Sequence, residues 1–249
     1  MITMEVKPRA RLIDYDEEAE GKIATAARLC YSRQGAEELQ EQMSREEKEE
    51  LVRKILDLGH YSTLEHAYFT FHIVCSRVTS HQLVRQRVGV SYSQRSQRYV
   101  QEDGFSYIIP PSIKRAGGQV LKEFKEHYQQ SQELYNRLLD EDIPAEDARF
   151  LLPAIKTNLV VTYNARSLYH FFSLRCCSRA QWEIRGLARQ MLKQVREVTP
   201  VLFDKAGADC EVKGECPEGE LSCGRLEKIK SDEGDEGEDK KIKGDNKTC

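Results

Sequence analysis

Between His66 and Gln101 the chain carries no acidic residue, and inside that span the stretch Arg85–Tyr99 (RQRVGVSYSQRSQRY) packs four arginines into fifteen residues. Guanidinium groups held that close repel one another unless something anionic sits among them, and their planar forks match phosphate and carboxylate groups. A solvated basic face is normally interleaved with Glu or Asp. The stretch therefore reads as a dedicated anion site rather than a positive surface loop. From Ala148 to Trp182 the acids disappear again, while Arg149, Lys156, Arg166, Arg175 and Arg179 remain. Two such segments, separated by an acid-rich helical stretch, point to one polyanion site or a symmetric set of them. Neither G-x-x-x-x-G-K-[ST] nor G-x-G-x-x-G occurs, so side chains rather than a loop of backbone amides must hold any phosphates. That disfavours the common nucleotide-binding folds.

A chain of 249 residues can bury a good core in one or two domains. Its net charge of -3 argues against a general nucleic-acid binder, which is usually basic overall, so the basic stretches are local features of a mildly acidic body. The first nine residues contain no apolar signal core and no stretch has the length of a membrane span, so a cytoplasmic protein without a membrane partner is expected. Cys30, Cys75, Cys176 and Cys177 lie in patterned segments and read as small buried hydrophobes. Cys210, Cys216, Cys223 and Cys249 fall in the last forty residues, at spacings wider than a C-x-x-C knuckle and with no second pair beside them. Unremarkable reduced thiols are expected there in preference to a metal site, which is the weaker alternative. The histidines likewise show no H-E-x-x-H spacing.

Periodicity supplies the elements. Ser44-Arg-Glu-Glu47 is a capping-box pattern, and Leu51, Ile55 and Leu58 follow at helical spacing up to Gly59, which predicts a helix over 45–58. Phe69, Phe71, Ile73 and Cys75 alternate and predict a strand over 68–75. A helix over 77–87 would deliver Arg85 and Arg87 at its C-terminal end, where cations are favoured, with extended or irregular chain over 91–99. A long helix is expected over 113–139, with Val120, Phe124, Tyr128, Leu134 and Leu138 on its apolar side. Leu159–Tyr163 reads as a buried strand. Helices follow from Asn164 to near Arg175 and over 179–198, the latter with Trp182, Ile184, Leu187, Ala188, Met191, Leu192 and Val195 inward. From Gly224 the composition cannot bury a core, and disorder is expected. One α/β domain ending near residue 207 is followed by a cysteine-containing, charged tail over 208–249.

These residues resemble the flavin-dependent thymidylate synthases, whose signature is Arg-x-Arg, seven or eight residues, then Ser with Arg-Tyr close behind. Here that is Arg85-Gln86-Arg87, eight residues, Ser96, then Arg98-Tyr99. Gly59-His60-Tyr61-Ser62, Leu64-Glu65-His66, Phe69-Thr70-Phe71-His72, Asn164-Ala165-Arg166, Arg175 and Ala180–Ile184 extend the likeness over residues 10 to 205 or so. The resemblance implies an α/β (α+β) fold, a mixed central sheet flanked by helices in a single domain. It also implies a homotetramer with active sites at subunit interfaces, and the reductive methylation of dUMP to dTMP. Methylenetetrahydrofolate would supply the carbon, NADPH the electrons, and FAD would be the working cofactor.

By matched position the resemblance implies FAD contacts at Ser62, Arg85, Gln86, Arg87, Asn164, Arg166 and His170. It implies dUMP contacts at Gln82, Arg85, Gln94, Arg95, Ser96, Gln97, Arg98, Arg149 and Arg175. Arg175 is the implied catalytic residue, favouring ionisation at N3 of the uracil and so enriching C5 as a nucleophile. A pKa drop of about 2 units takes roughly 2.7 kcal/mol of preference for the anion, and one charge-assisted hydrogen bond is worth roughly 1.5–3 kcal/mol. Three positions depart from the family pattern: Gln86 stands where histidine is usual, Ser93-Gln94 replaces an Asn-Glu pair, and His170 occupies a frequent Asn position. Three other readings compete. An arginine beside Cys176-Cys177 could depress a thiol pKa for nucleophilic catalysis. Arginines interleaved with Tyr92 and Tyr99 could stack single-stranded nucleic acid. A flavoprotein oxidase could keep the fold without methyl transfer.

Overall fold

Alternation of apolar residues along residues 68–76 builds the centre of the molecule: Phe69, Phe71, Ile73 and Cys75 are all fully buried on one face. The computed structural model describes residues 4–102 and 104–231. Its strands are β1 (Met4–Glu5), β2 (Arg9–Tyr15), β3 (Tyr68–Ser76), β4 (Val90–Gln94), β5 (Ser106–Tyr107) and β6 (Lys156–Asn164). The helices are α1 (Ala19–Leu29), α2 (Ala36–Gln42), α3 (Arg45–Asp57), α4 (Arg77–Leu83), α5 (Pro111–Ala116) and α6 (Gly118–Asp140). They continue with α7 (Ala145–Ala148), α8 (Ala165–Arg175), α9 (Trp182–Val198), α10 (Pro200–Phe203) and α11 (Asp209–Val212). A four-stranded sheet in the order β2-β3-β6-β4 is antiparallel throughout, and the parallel pairing is confined to a separate pair, β1 with β5. The expected sheet flanked by helices is present in this form.

Helices α4, α8 and α9 cover one face of the large sheet. Ile184, Leu187, Ala188, Met191 and Val195 of α9 are fully buried against it, on the face the sequence pattern predicted. The same helix reaches the edge strand β2 through glutamines. Ala10 N donates to Gln190 Oε1 (3.0 Å) and Leu12 N to Gln194 Oε1 (2.8 Å), so backbone groups an edge strand leaves open are satisfied by side chains. At the N-terminus of α9 the carboxylate of Glu183 is buried and accepts from Ser76 N (2.7 Å) and Ser76 Oγ (2.6 Å), which locks the β3–α4 corner to α9. The opposite face of the sheet is open: Val160, Tyr68 and Ile13 are exposed on it or at its margin.

Several expected boundaries hold and others move. The capping box at Ser44 and Glu47 forms and starts α3 at Arg45. The helix expected over 77–87 stops at Leu83, because the next carbonyls are taken by a side chain: Tyr92 Oη donates to Leu83 O (2.7 Å), with Gln86 O 3.0 Å away. The single helix expected over 113–139 is two, broken at Gly117, whose φ of 59° takes the chain out of helix. Its buried side is also rotated. Tyr128, Ser131, Gln132 and Tyr135 face inward on α6, while Val120 and Leu134 are exposed, because the polar pair Gln132 and Tyr135 bonds Phe105 N and Glu102 N beneath the helix. Packing onto the body continues past residue 207. Ala208 and Cys210 belong to the core, Leu226 packs on it, and Arg225 pairs with Glu211, so the chain over 208–231 folds back onto the body. Of the disorder expected from Gly224 onward, residues 225–231 are helical instead, and the remainder, 232–249 with Cys249, falls outside the described residues.

Candidate active site

The start of α8 organises the first half of the site. Asn164 ends β6 and caps α8, its Oδ1 accepting from Ser167 N (2.8 Å). The loop carrying Arg85–Gly89 is laced to this cap. Asn164 N donates to Gly89 O (2.9 Å), Ser167 Oγ to Val88 O (2.5 Å) and Gln86 Nε2 to Ser167 O (2.5 Å). Gly89, at φ 68°, lies so close to the cap that a Cβ there would meet Asn164 Nδ2 and Ser167 Oγ at 2.4 Å. Gln86, where the family pattern has histidine, thus fastens the loop whose two neighbouring arginines face outward.

Those arginines form one wall of a cleft of about 650 Å³. Arg85, Gln86 and Arg87 line it from the loop, and Asn164, Arg166 and His170 line it from the α8 side. Ser173 follows at the same helical spacing as Arg166 and His170, so one face of α8 supplies the floor. Six of the seven residues expected to contact FAD therefore meet in one place. Ser62 does not join them: it is exposed on the 3₁₀ turn Tyr61–His66, whose Tyr61 and Glu65 line the cleft instead. Lys205, Asp209 and Lys213 close the far side. Neither Lys205 nor Lys213 was readable as a site residue, because both lie among acids beyond the two acid-free stretches. Five cations of the lining (Arg85, Arg87, Arg166, Lys205, Lys213) face two carboxylates (Glu65, Asp209).

The residues expected to contact dUMP fall into separate groups within one chain. Gln94 ends β4, its Nε2 donating to Ser80 Oγ and Thr157 Oγ1, each at 3.1 Å. Arg95 N donates to Asn158 O (3.0 Å), and its guanidinium lies 3.9 Å from the buried Glu102. In the following turn Arg98 N donates to Ser96 Oγ (3.2 Å), and the Arg98 guanidinium lies over the Tyr99 ring, 5.1 Å from its centroid. Glu146 brings two of the set together, accepting from Arg98 Nε at its carboxylate (2.5 Å) and from Arg149 Nε at its carbonyl (3.0 Å). Gln97 lines a shallow cleft with Arg77 and His81, and Gln82 is half-buried on α4. Arg175 sits half-buried in the last turn of α8, near enough to Tyr92 and Tyr163 that its charge opposes the rise which burial imposes on both phenols. Among the described residues no hydrogen bond or ion pair joins Arg175 to the Arg98–Glu146–Arg149 group.

Charge pairing explains how the acid-free stretches persist in one chain. Their arginines borrow acids from outside them: Arg95 from Glu102, Arg98 from Glu146, and Arg166 from Glu65 at 2.6 Å. Among the described residues Arg85, Arg87, Arg149 and Arg175 have no carboxylate partner, so four guanidinium groups stay available for an external anion. Cys176 is buried in the core and its thiol is pushed up to about 12, first by desolvation, which leaves almost no thiolate for nucleophilic attack at neutral pH. Among the described residues, no group of three or more His, Cys, Asp or Glu is already arranged to hold a metal ion, and no helix is long and apolar enough to cross a membrane.

Comparison with known proteins places the chain in a family. The family model "Thymidylate synthase complementing protein" matches residues 11–201. A flavin-dependent thymidylate synthase of Geobacter sulfurreducens is 48% identical over 223 residues, spanning 88% of this chain and 95% of that protein. One from Clostridium tetani is 42% identical over 246 residues, spanning 92% and 97%. Among solved structures, the UMP/dUMP methylase PolB from Streptomyces cacaoi, bound with 5-Br dUMP, superposes with a TM-score of 0.72 at 27% identity, covering 82% of this chain and 96% of that one. With the family model and these relatives matching most of its length, the chain belongs to the flavin-dependent thymidylate synthase family.

Proposed function

We propose that this protein is a methyltransferase that converts dUMP to dTMP by reductive methylation. FAD is its bound cofactor, methylenetetrahydrofolate the carbon donor and NADPH the reductant. The observation that carries the reading is the convergence of Arg85, Gln86, Arg87, Asn164, Arg166 and His170 on one cationic cleft of about 650 Å³. That is within the range of cofactor sites, and Arg85 and Arg87 stand without carboxylate partners at its wall. A dinucleotide pyrophosphate suits those two forks. FAD, when bound, supplies the electrons that reduce the transferred carbon. This chain's own residues bind and orient the nucleotide: Arg98 and Arg149, already drawn together by Glu146, hold the 5′-phosphate. Arg175 lies against the uracil and favours loss of the N3 proton, which enriches C5 toward the incoming carbon. Arg175 acts by charge and fork geometry, so no enzyme cysteine has to attack the ring.

The functional form in this reading is a homotetramer. Its support is that, among the described residues, no hydrogen bond, ion pair or shared cleft joins Arg175 to the Arg98–Arg149 pair within one chain, together with the open outer face of the sheet. Residues from neighbouring subunits then complete each site, in the cytoplasm, where nucleotide and NADPH are available. Purified protein should retain flavin absorbance and oxidise NADPH in a dUMP-dependent manner. A colourless protein that co-purifies with nucleic acid would favour the single-strand-binding alternative. NADPH oxidation indifferent to dUMP would favour an oxidase.

A further inference from the structure

Four cysteines from separate parts of the chain line one small cavity. Cys177 follows the end of α8, Cys210 lies in α11, and Cys216 and Cys223 flank the turn that folds back over them. The cavity, which ten other residues also line, is about 40 Å³, enough for a single ion or water and too small for an organic ligand. The intervals 210, 216 and 223 look too wide for a zinc knuckle when read along the chain, but that reading lacks the fourth thiol. It is the fold that delivers Cys177, 33 residues before Cys210, into the same cavity. Its neighbour Cys176 is turned into the core and takes no part.

Three further observations fit a thiolate site. None of the four cysteines is in a disulfide. Arg179 N already donates to Cys177 Sγ at 3.4 Å, the kind of backbone contact that stabilises a ligating sulfur. Arg179 and Arg225 line the cavity, and Arg225 Nη1 is buried there without a hydrogen-bond partner. Four thiolates around a divalent ion carry a net charge of about −2; Arg179 and Arg225 at the wall favour that charge, while Asp209 and Glu218 also line the cavity and Arg225 pairs with Glu211.

We propose that Cys177, Cys210, Cys216 and Cys223 form a structural site for one thiophilic divalent ion of the zinc type. As they stand the sulfurs are not arranged to hold an ion, so binding draws the turn over 213–223 inward. Four S–H bonds give way to four metal–sulfur bonds, and roughly four protons pass to the buffer. The site pins to α8 the segment from which Gly207, Asp209 and Lys213 line the larger cleft.

The test is the metal content of the full-length protein, purified without chelators, together with Co²⁺ substitution. About one zinc per chain is expected, falling below roughly a tenth in Cys177→Ser and in Cys216→Ser but not in Cys30→Ser, which is exposed just after α1. Co²⁺ added to wild-type protein stripped of metal should give the sulfur-to-cobalt charge-transfer and tetrahedral bands of a tetrathiolate site, which keeps the test independent of whether the serine variants fold. Zinc removal should expose the 213–223 turn to proteolysis. Absence of both zinc and the cobalt–thiolate spectrum, an iron–sulfur chromophore, or a disulfide among these four residues would each overturn the proposal.

Discussion

Gly89 and Asn164 approach so closely that a side-chain carbon on the glycine would stand 2.4 Å from the asparagine's Nδ2. The contact joins the arginine loop to the helix that forms the floor of the cleft, and it combines a positive φ with a lack of space. Gly89→Ala should therefore cost roughly 1–3 kcal/mol of stability and release flavin, because Arg85 and Arg87 lose their support. Denaturant titration alongside flavin absorbance checks this. A variant of wild-type stability with full flavin content would show that the loop is not held by this contact.

Glu183 is a second hidden support. Its buried carboxylate accepts two hydrogen bonds from Ser76, and bonds to a charged group are worth roughly 1.5–3 kcal/mol each. Glu183→Ala should destabilise by about 3 kcal/mol or more, and Glu183→Gln by less, because an amide keeps one acceptor. Equilibrium unfolding in urea measures both. Equal losses in the two variants would mean that packing, not hydrogen bonding, fixes this corner.

Glu102 predicts a pH dependence. Burial raises its carboxyl above the usual value, against a weaker opposing pull from Arg95. A carboxyl whose folded pKa is raised favours folding when protonated, so its contribution is fully present below the unfolded value near 4.5 and is lost as pH rises through the folded value. Relative to wild type, Glu102→Gln should gain in Tm as pH is taken from about 4 to 7. A gain that shrinks over that interval would contradict the assignment.

Much of this architecture is legible in the sequence because it depends on local rules. The capping box at Ser44 and Glu47, the alternation through Phe69–Cys75 and the inward stripe of α9 are each decided within a few residues. The cationic character of the site is legible for the same reason: acids are missing from two continuous stretches. The remainder depends on partners distant along the chain. Leu83 ends α4 because Tyr92 takes its carbonyl, and Tyr135 and Gln132 face inward on α6 because Glu102 and Phe105 need them. Lys213 reaches the cleft because the chain after residue 207 folds back, and Lys205 reaches it from just past α10. Nothing in the spacing of Cys210, Cys216 and Cys223 discloses that Cys177 lies beside them.

No hydrogen bond or ion pair joins Arg175 to Arg98 or Arg149 among the described residues, which makes subunit complementation informative. Arg175→Lys should lower dTMP formation by roughly 100-fold, the equivalent of about 2.7 kcal/mol, while flavin binding persists. Arg98→Ala should weaken dUMP binding. With sites shared between subunits as proposed, mixed oligomers of the two impaired variants should be more active than either variant alone, because some sites then draw an intact Arg175 and an intact Arg98 from different subunits. Mixtures no more active than their components would place both arginines in the same chain's site.

The most direct measurement is product formation itself, with the flavin-loaded protein supplied with dUMP, methylenetetrahydrofolate and NADPH and analysed for dTMP by chromatography. dTMP should appear, and omission of any one of the three substrates should abolish it. Failure to form dTMP under these conditions, with flavin bound and NADPH consumed regardless of dUMP, would contradict the assignment of this cationic cleft to thymidylate synthesis.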